Sequence, residues 1–261
     1  KTIKANNSIA VAQLYHGGMR APKDIIGMQP LSASDNAKWG ARAMTTAEVE
    51  AMIEAFICAA QRAEQAGFDG VELHGAHGYI LAQFLSPEIN QRTDRFGGSL
   101  ENRSSLIFEI IDGIRSRCGK DFAIGVRLSP ERFGMKLDEV VQVAARLMRE
   151  DVIEYLDMSM WDVFKMPEDA GAHGKTLLSY FTELERKGVR LGVAGKLNTA
   201  ADCQRALDAA RQHLEQAPAR LVAADQRHQR HRRAHLQRHR RLFKFLVPGK
   251  GDLHLVTPDR Q

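Results

Sequence analysis

What most constrains this chain is the alternation of short apolar runs with longer helix-like segments through its first 209 residues. Ser8–Tyr15 (SIAVAQLY), Phe68–His74, Ala123–Leu128 (AIGVRL), Ile153–Met158 and Arg190–Ala194 read as strands buried on both faces. Between them lie helical patterns. Thr45 opens one, with Glu48 three residues on as a capping box, and Val49, Met52, Ile53, Phe56 and Ala60 follow at helical spacing until Gly67. Further helices are expected over Glu101–Cys118, Leu137–Arg149, Thr176–Lys187 and Thr199–Ala209. Such a β-α-β-α series implies an α/β fold with a parallel sheet covered by helices. Polar residues gather just beyond the strands: His16, His74, Arg127, Ser129, Gly195 and Lys196. Chemistry at the carboxyl ends of strands favours a (β/α)8 TIM barrel over a doubly wound sheet. No GxGxxG joins a strand to a helix, so the dinucleotide fingerprint is absent.

The texture changes after about residue 210. Between Arg211 and Arg241 nine arginines face only Glu215 and Asp225, a net of +7. Set against +5 for the whole chain, this leaves the rest at −2, so the high isoelectric point belongs to the tail. The expected organisation is a barrel core over residues 1–210 and a basic Arg/His-rich segment over residues 211–261, outside the core fold. Arginine-rich tails bind nucleic acid through phosphates. This one lacks interleaved aromatics or a recognisable module, so that reading stays remote. No apolar run approaches the roughly 18 residues of a membrane span. The three scattered cysteines, Cys58, Cys118 and Cys203, fit a reducing cytoplasm and rule out CxxC metal or cluster motifs.

The segment VELHGAHGYILAQFLSP (Val71–Pro87) sets His74 and His77 three residues apart, with Tyr79 two further on. Two histidines at that spacing could share a metal, but no HExxH or third ligand stands nearby, which argues for no metal site. As residues alone they serve equally as hydrogen-bonding groups closing a strand.

Together with AQLYHGGMR (Ala12–Arg20), SPEINQRTDRFGGSLENR (Ser86–Arg103), GVRLSP (Gly125–Pro130) and GVAGK (Gly192–Lys196), this segment resembles the Old Yellow Enzyme family of NADH:flavin oxidoreductases and FMN-dependent ene-reductases. The resemblance runs from about Ile9 to Ala209. It implies an FMN-containing barrel passing hydride from NAD(P)H, through FMN, to the alkene of an α,β-unsaturated carbonyl or similar small-molecule acceptor. By that resemblance Gln13 contacts the pyrimidine edge of the flavin, Arg127 faces its N1/C2 carbonyl region, and the amides of Gly195 and Lys196 belong to the phosphate site. His74 and His77 bind the acceptor oxygen, and Tyr79 is the general acid. His16 and Arg20 line either the pocket or an oligomer contact. Trp39 either covers the flavin or is an exposed loop aromatic. Asp94, Arg95 and Arg103 are expected to hold their long loop by ion pairs. The implied protein is cytoplasmic, takes no membrane partner, and fits a homo-oligomer.

The chain departs from the family pattern twice. The family's first strands and flavin-contacting segment would precede Lys1, and no Gly-Arg pair follows Gly195. The corresponding expectation is an incomplete barrel that holds FMN weakly. The alternative function is therefore a non-catalytic, truncated or frameshifted remnant.

Overall fold

The computed structural model describes residues 2–6, 8–168 and 174–216 and the pair 255–256. It divides into two compact units, Val11–Val140 and a second comprising residues 1–10 and 141–261.

The four-residue helix α1 (Thr2–Ala5) belongs to the second unit; the first contains β1 (Val11–Leu14), the four-residue helix α2 (Lys23–Ile26), β2 (Leu31–Ser32), β3 (Arg42–Ala43), α3 (Thr46–Gln65), β4 (Gly70–Gly75), α4 (Ile80–Leu85), α5 (Leu100–Arg117) and β5 (Ala123–Leu128). β1, β4 and β5 lie side by side and parallel, with Gln13 opposite Glu72 and His74 opposite Arg127. Side chains alternate along a strand, and registered neighbours share a face. One face therefore carries Leu73, Val71 and Val126, all fully buried, against the helices. The other carries Gln13, Glu72, His74 and Arg127. Each fully buried Leu, Ile or Val contributes about 1.5–3 kcal/mol, so the helix-side face holds the unit together and leaves the polar face to chemistry.

The helices obey the sequence pattern closely. Thr45 caps α3, its side chain accepting from the Glu48 amide (3.2 Å) while Glu48 accepts from the Thr45 amide (2.8 Å). Val49, Met52, Ile53, Phe56, Ile57 and Ala60 form its buried stripe. In α5, Leu106, Ile107, Ile110, Ile111 and Ile114 do the same. Gly113 lets the two helices close: a Cβ there would lie 2.1 Å from the Ile57 side chain. A mid-helix glycine costs about 1 kcal/mol against alanine, and here the close approach requires it.

The loop before α5 is tied down by charge. Asp94 accepts from Arg92 (2.5 and 2.9 Å) and from the Thr46 hydroxyl (2.7 Å). Arg95 bridges Glu50 and Glu109. Arg103, 4% exposed, pairs bidentately with Glu139 at 2.8 and 3.0 Å. The structural reading of all three residues holds.

The Arg92 guanidinium, aided by Thr46 and the Phe96 amide, lowers the Asp94 carboxyl from 3.8 to about 2. A carboxylate depressed in the fold contributes stability above its unfolded value and loses it as pH falls through the folded one. The difference in urea midpoint between wild type and Asp94→Asn is thus expected to be constant near neutrality and to shrink as pH drops from 3.8 toward about 2. A gap that stays full at the acid end would show that Asp94 acts through something other than its charge.

The second unit continues α6 (Leu137–Glu150), which begins in the first, and adds β6 (Tyr155–Ser159), α7 (Ser179–Thr182), β7 (Arg190–Ala194), α8 (Ala200–Gln216) and β8 (Leu255–Val256). β6 and β7 are parallel, in register from Tyr155↔Arg190 to Ser159↔Ala194. β8 runs antiparallel to β7. Thr199 and Asp202 form a reciprocal cap on α8, each side chain accepting from the other's amide at 3.1 Å.

The helix expected over Thr176–Lys187 is only a single turn, Ser179–Thr182. Leu177, Leu178 and Phe181 bury it, but beyond Leu184 the stretch Glu185, Arg186, Lys187 offers no apolar residue to hold a second turn. Apart from the end of α8 and the β8 pair, the basic segment 211–261 lies outside the described residues. No helix among the described residues is long and apolar enough to cross a membrane.

Candidate active site

The polar face of β1, β4 and β5 ends where β4 meets its loop, and the sequence there folds into a tight turn. His77 and Gly78 both take the left-handed conformation, at φ 59° and 70°. That conformation is uncommon for a non-glycine residue. Ser129, just past β5, stabilises it by accepting the His77 amide at 3.0 Å. The turn brings His74 and His77 into an edge-on pair with ring centroids 5.0 Å apart, and Tyr79 to 5.2 Å from His74. His74 is buried, whereas His77 and Tyr79 are half-buried. All three candidate catalytic side chains thus share one cluster at a strand's carboxyl end. Among the described residues the Tyr79 hydroxyl makes no hydrogen bond.

Behind Tyr79 the short helix α4 is buried on every side. Gln83 within it is fully buried and ties three segments together. It accepts the Met19 amide (3.2 Å) and donates to the Gly78 carbonyl (2.8 Å). Gly18, at φ 59°, packs so tightly on it that a Cβ would lie 2.4 Å from its amide. Sequence reading missed Gln83, because one glutamine within ILAQFL carries no periodic signal.

His16 is drawn in by the same packing. Its Nδ1 accepts the Gly18 amide (3.0 Å), and its carbonyl accepts the Ile80 amide (3.1 Å). Burial pushes its pKa below the ordinary 6.5, consistent with a neutral ring that accepts at Nδ1. This makes His16 a structural residue of the turn.

Gln13 and Arg127 occupy the same polar face. Gln13 donates to Glu72 at 2.6 Å, which orients its amide and leaves the carbonyl oxygen to accept. Arg127 is 5% exposed and directly opposite His74 on the neighbouring strand. An oriented amide that accepts, on the same sheet face as a buried guanidinium, matches the donor and acceptor edge of a flavin pyrimidine ring. The residues present fit FMN on that chemistry. Glu72 escaped the sequence reading because within VEL it is only the polar member of a strand.

Gly195 and Lys196 lie in the second unit, at the turn after β7. Gly195 is at φ 146° and Lys196 at φ 49°. A Cβ on Gly195 would lie 2.7 Å from the Trp161 backbone, so only glycine fits. The Lys196 ammonium faces Asp162 at 3.4 Å. Trp39 is 41% exposed on a single 3-10 turn, with Arg20 over its ring. Cys58, Cys118 and Cys203 are free thiols, and burial drives Cys118 up to about 11, far from a reactive thiolate. Among the described residues no group of three His, Cys, Asp or Glu is placed to hold a metal ion.

A histidine pair, a tyrosine and a buried arginine thus gather at strand carboxyl ends of a parallel α/β frame. The chain belongs to the NADH:flavin oxidoreductase / NADH oxidase family, whose model matches residues 1–227. A Bacillus subtilis protein carrying the name of an NADH-dependent flavin oxidoreductase, YqiG, is 36% identical over 77% of this chain and 57% of its own length. The NADH:fumarate oxidoreductase of Klebsiella pneumoniae is 40% identical over 61% of this chain and 19% of its own. Other relatives are named NADPH dehydrogenases. The chain is similar to the solved Old Yellow Enzyme of Pichia sp. AKU4542, with 29% identity, a TM-score of 0.54, and coverage of 60% of this chain and 48% of that one. The chain thus spans little more than half of YqiG and about half of that structure. The fold class is α/β of the (β/α)8 barrel type, of which the described strands supply part. FMN is the cofactor of the family, and NADH or NADPH its reductant.

Proposed function

We propose that this chain serves an FMN-dependent oxidoreductase that reduces the alkene of α,β-unsaturated carbonyl compounds or similar acceptors. The observation that carries the reading is the His74, His77 and Tyr79 cluster, with centroids 5.0 and 5.2 Å apart, on the same sheet face as Arg127. Bound FMN would supply the hydride chemistry between NAD(P)H and the acceptor's β-carbon. His74 and His77 donate to the acceptor oxygen, where negative charge develops, as an oxyanion hole does. Tyr79 gives its proton to the α-carbon. Arg127 would hold the pyrimidine end of the flavin with its positive charge. Gln13 would orient the pyrimidine edge; the Gly195–Lys196 backbone keeps, within its own unit, the phosphate role that the resemblance gives it. The same proposal takes residues 1–210 as the barrel portion, a cytoplasmic setting and a homo-oligomeric assembly. The name of the Klebsiella relative, which specifies fumarate, supports an activated alkene as acceptor.

The histidine assignment is tested with phenols, which mimic the acceptor's oxyanion. Phenol added to FMN-supplemented protein is expected to give a long-wavelength charge-transfer band. Replacing His74 and His77 together by alanine should abolish the band while FMN stays bound. Stoichiometric zinc bound by the pair would overturn the assignment. A purified chain that takes up no FMN at all would favour the non-catalytic remnant.

A further inference from the structure

Arg20 is the one residue of the AQLYHGGMR segment whose charge the site has not used. It ends the 3-10 turn Gly18–Arg20 and is exposed. Its guanidinium carbon stands 5.4 Å from the Trp39 ring centroid, 5.8 Å from Tyr79 and 6.0 Å from Phe133. Phe133 in turn faces His77, with centroids 6.5 Å apart. Among the described residues the Arg20 guanidinium makes no hydrogen bond and has no carboxylate partner. Most other arginines of this unit are paired: Arg42, Arg92, Arg95, Arg103 and Arg117 each hold an acidic side chain.

Three rings around a guanidinium do two things. They restrict its orientation through cation–π attraction, and they remove water from part of its surface. Neither satisfies its N–H groups, because ring faces accept weakly. The planar fork that remains suits a carboxylate, which it can bind through two parallel hydrogen bonds. Its position adds the rest. The Tyr79 ring lies 5.8 Å from the Arg20 guanidinium carbon and 5.2 Å from the His74 ring, which sets Arg20 on the far side of Tyr79 within reach of a molecule whose oxygen sits on the histidines.

We propose that Arg20 reads a carboxylate on the acceptor, so that the preferred substrates are unsaturated carbonyl compounds that also carry an acidic group. This inference rests on the acceptor pocket proposed above. A purely structural Arg20, joining the Trp39 loop to the turn, is the competing reading.

The two are separated by titration calorimetry on the full chain supplemented with FMN, using phenol, 4-hydroxybenzamide and 4-hydroxybenzoate. All three offer the same phenolic oxygen to His74 and His77, and only the last carries a carboxylate. A charge-assisted pair at this exposed site predicts 4-hydroxybenzoate binding about two- to fivefold tighter than the amide. In Arg20→Gln that ratio should fall to about one while phenol affinity is unchanged, and raising ionic strength should erode it in wild type. Phenol binding without a carboxylate preference, or a preference that survives Arg20→Gln, overturns the role of Arg20 alone. An Arg20-dependent preference without phenol binding overturns the histidine pocket alone. No binding of any probe overturns both. Equal urea midpoints of the two proteins would confirm that Arg20→Gln folds, and a large drop would favour the structural reading.

Discussion

Tyr79→Phe is expected to slow alkene reduction by about 10²–10⁴, the range for losing a positioned general acid. The substitution keeps the ring, so the contacts to His74 at 5.2 Å and to Tyr15 at 5.4 Å survive, and the N-terminal end of α4 stays in place. What disappears is the hydroxyl proton. Reduction of the flavin by NAD(P)H needs no proton from Tyr79 and should run nearly unchanged. Stopped-flow traces of the two half-reactions make the comparison directly. Equal slowing of both would mean that Tyr79 places the cofactor or packs the site. A wild-type rate in both would remove Tyr79 from the chemistry altogether.

Arg103→Ala is expected to cost about 3–5 kcal/mol of stability, as breaking a buried ion pair from one side does. Arg103 donates to the Leu85 carbonyl, to the Gly98 carbonyl at 3.1 Å and to both Glu139 oxygens, so its removal orphans acceptors on three segments. The Glu139 side chain is only 19% exposed and would keep its charge without its partner. Arg95→Ala is the contrast. Its side chain is 48% exposed, and exposed pairs contribute about 0–1 kcal/mol. Urea midpoints of the two variants should therefore differ widely. Similar values would show that the loop before α5 is held by its apolar contacts, Phe96 and Phe84 chief among them, and not by Arg103.

Much of the frame was legible in the chain. AIGVRL and RLGVA became β5 and β7 with the expected ends, and the Thr45–Glu48 box became a cap. These features depend on a few adjacent residues: apolar run length, period and capping chemistry are local. The clustering of His74, His77 and Tyr79 was legible for the same reason, since a strand end and one turn span them. Family resemblance, not periodicity, suggested their roles.

The tertiary structure alone decided which distant residues meet. Glu72 orients Gln13 across 59 positions of sequence, Ser129 holds the His77 turn across 52, and Gln83 reaches Met19 across 64. Periodicity assigns a residue to a face but does not name its partner. Partners follow from strand register and helix packing, and a shift of one residue would turn Gln13, His74 and Arg127 toward the helices. The same holds for Arg20, whose charge was plain in the sequence while the three rings around it came from three separate loops brought together by the fold.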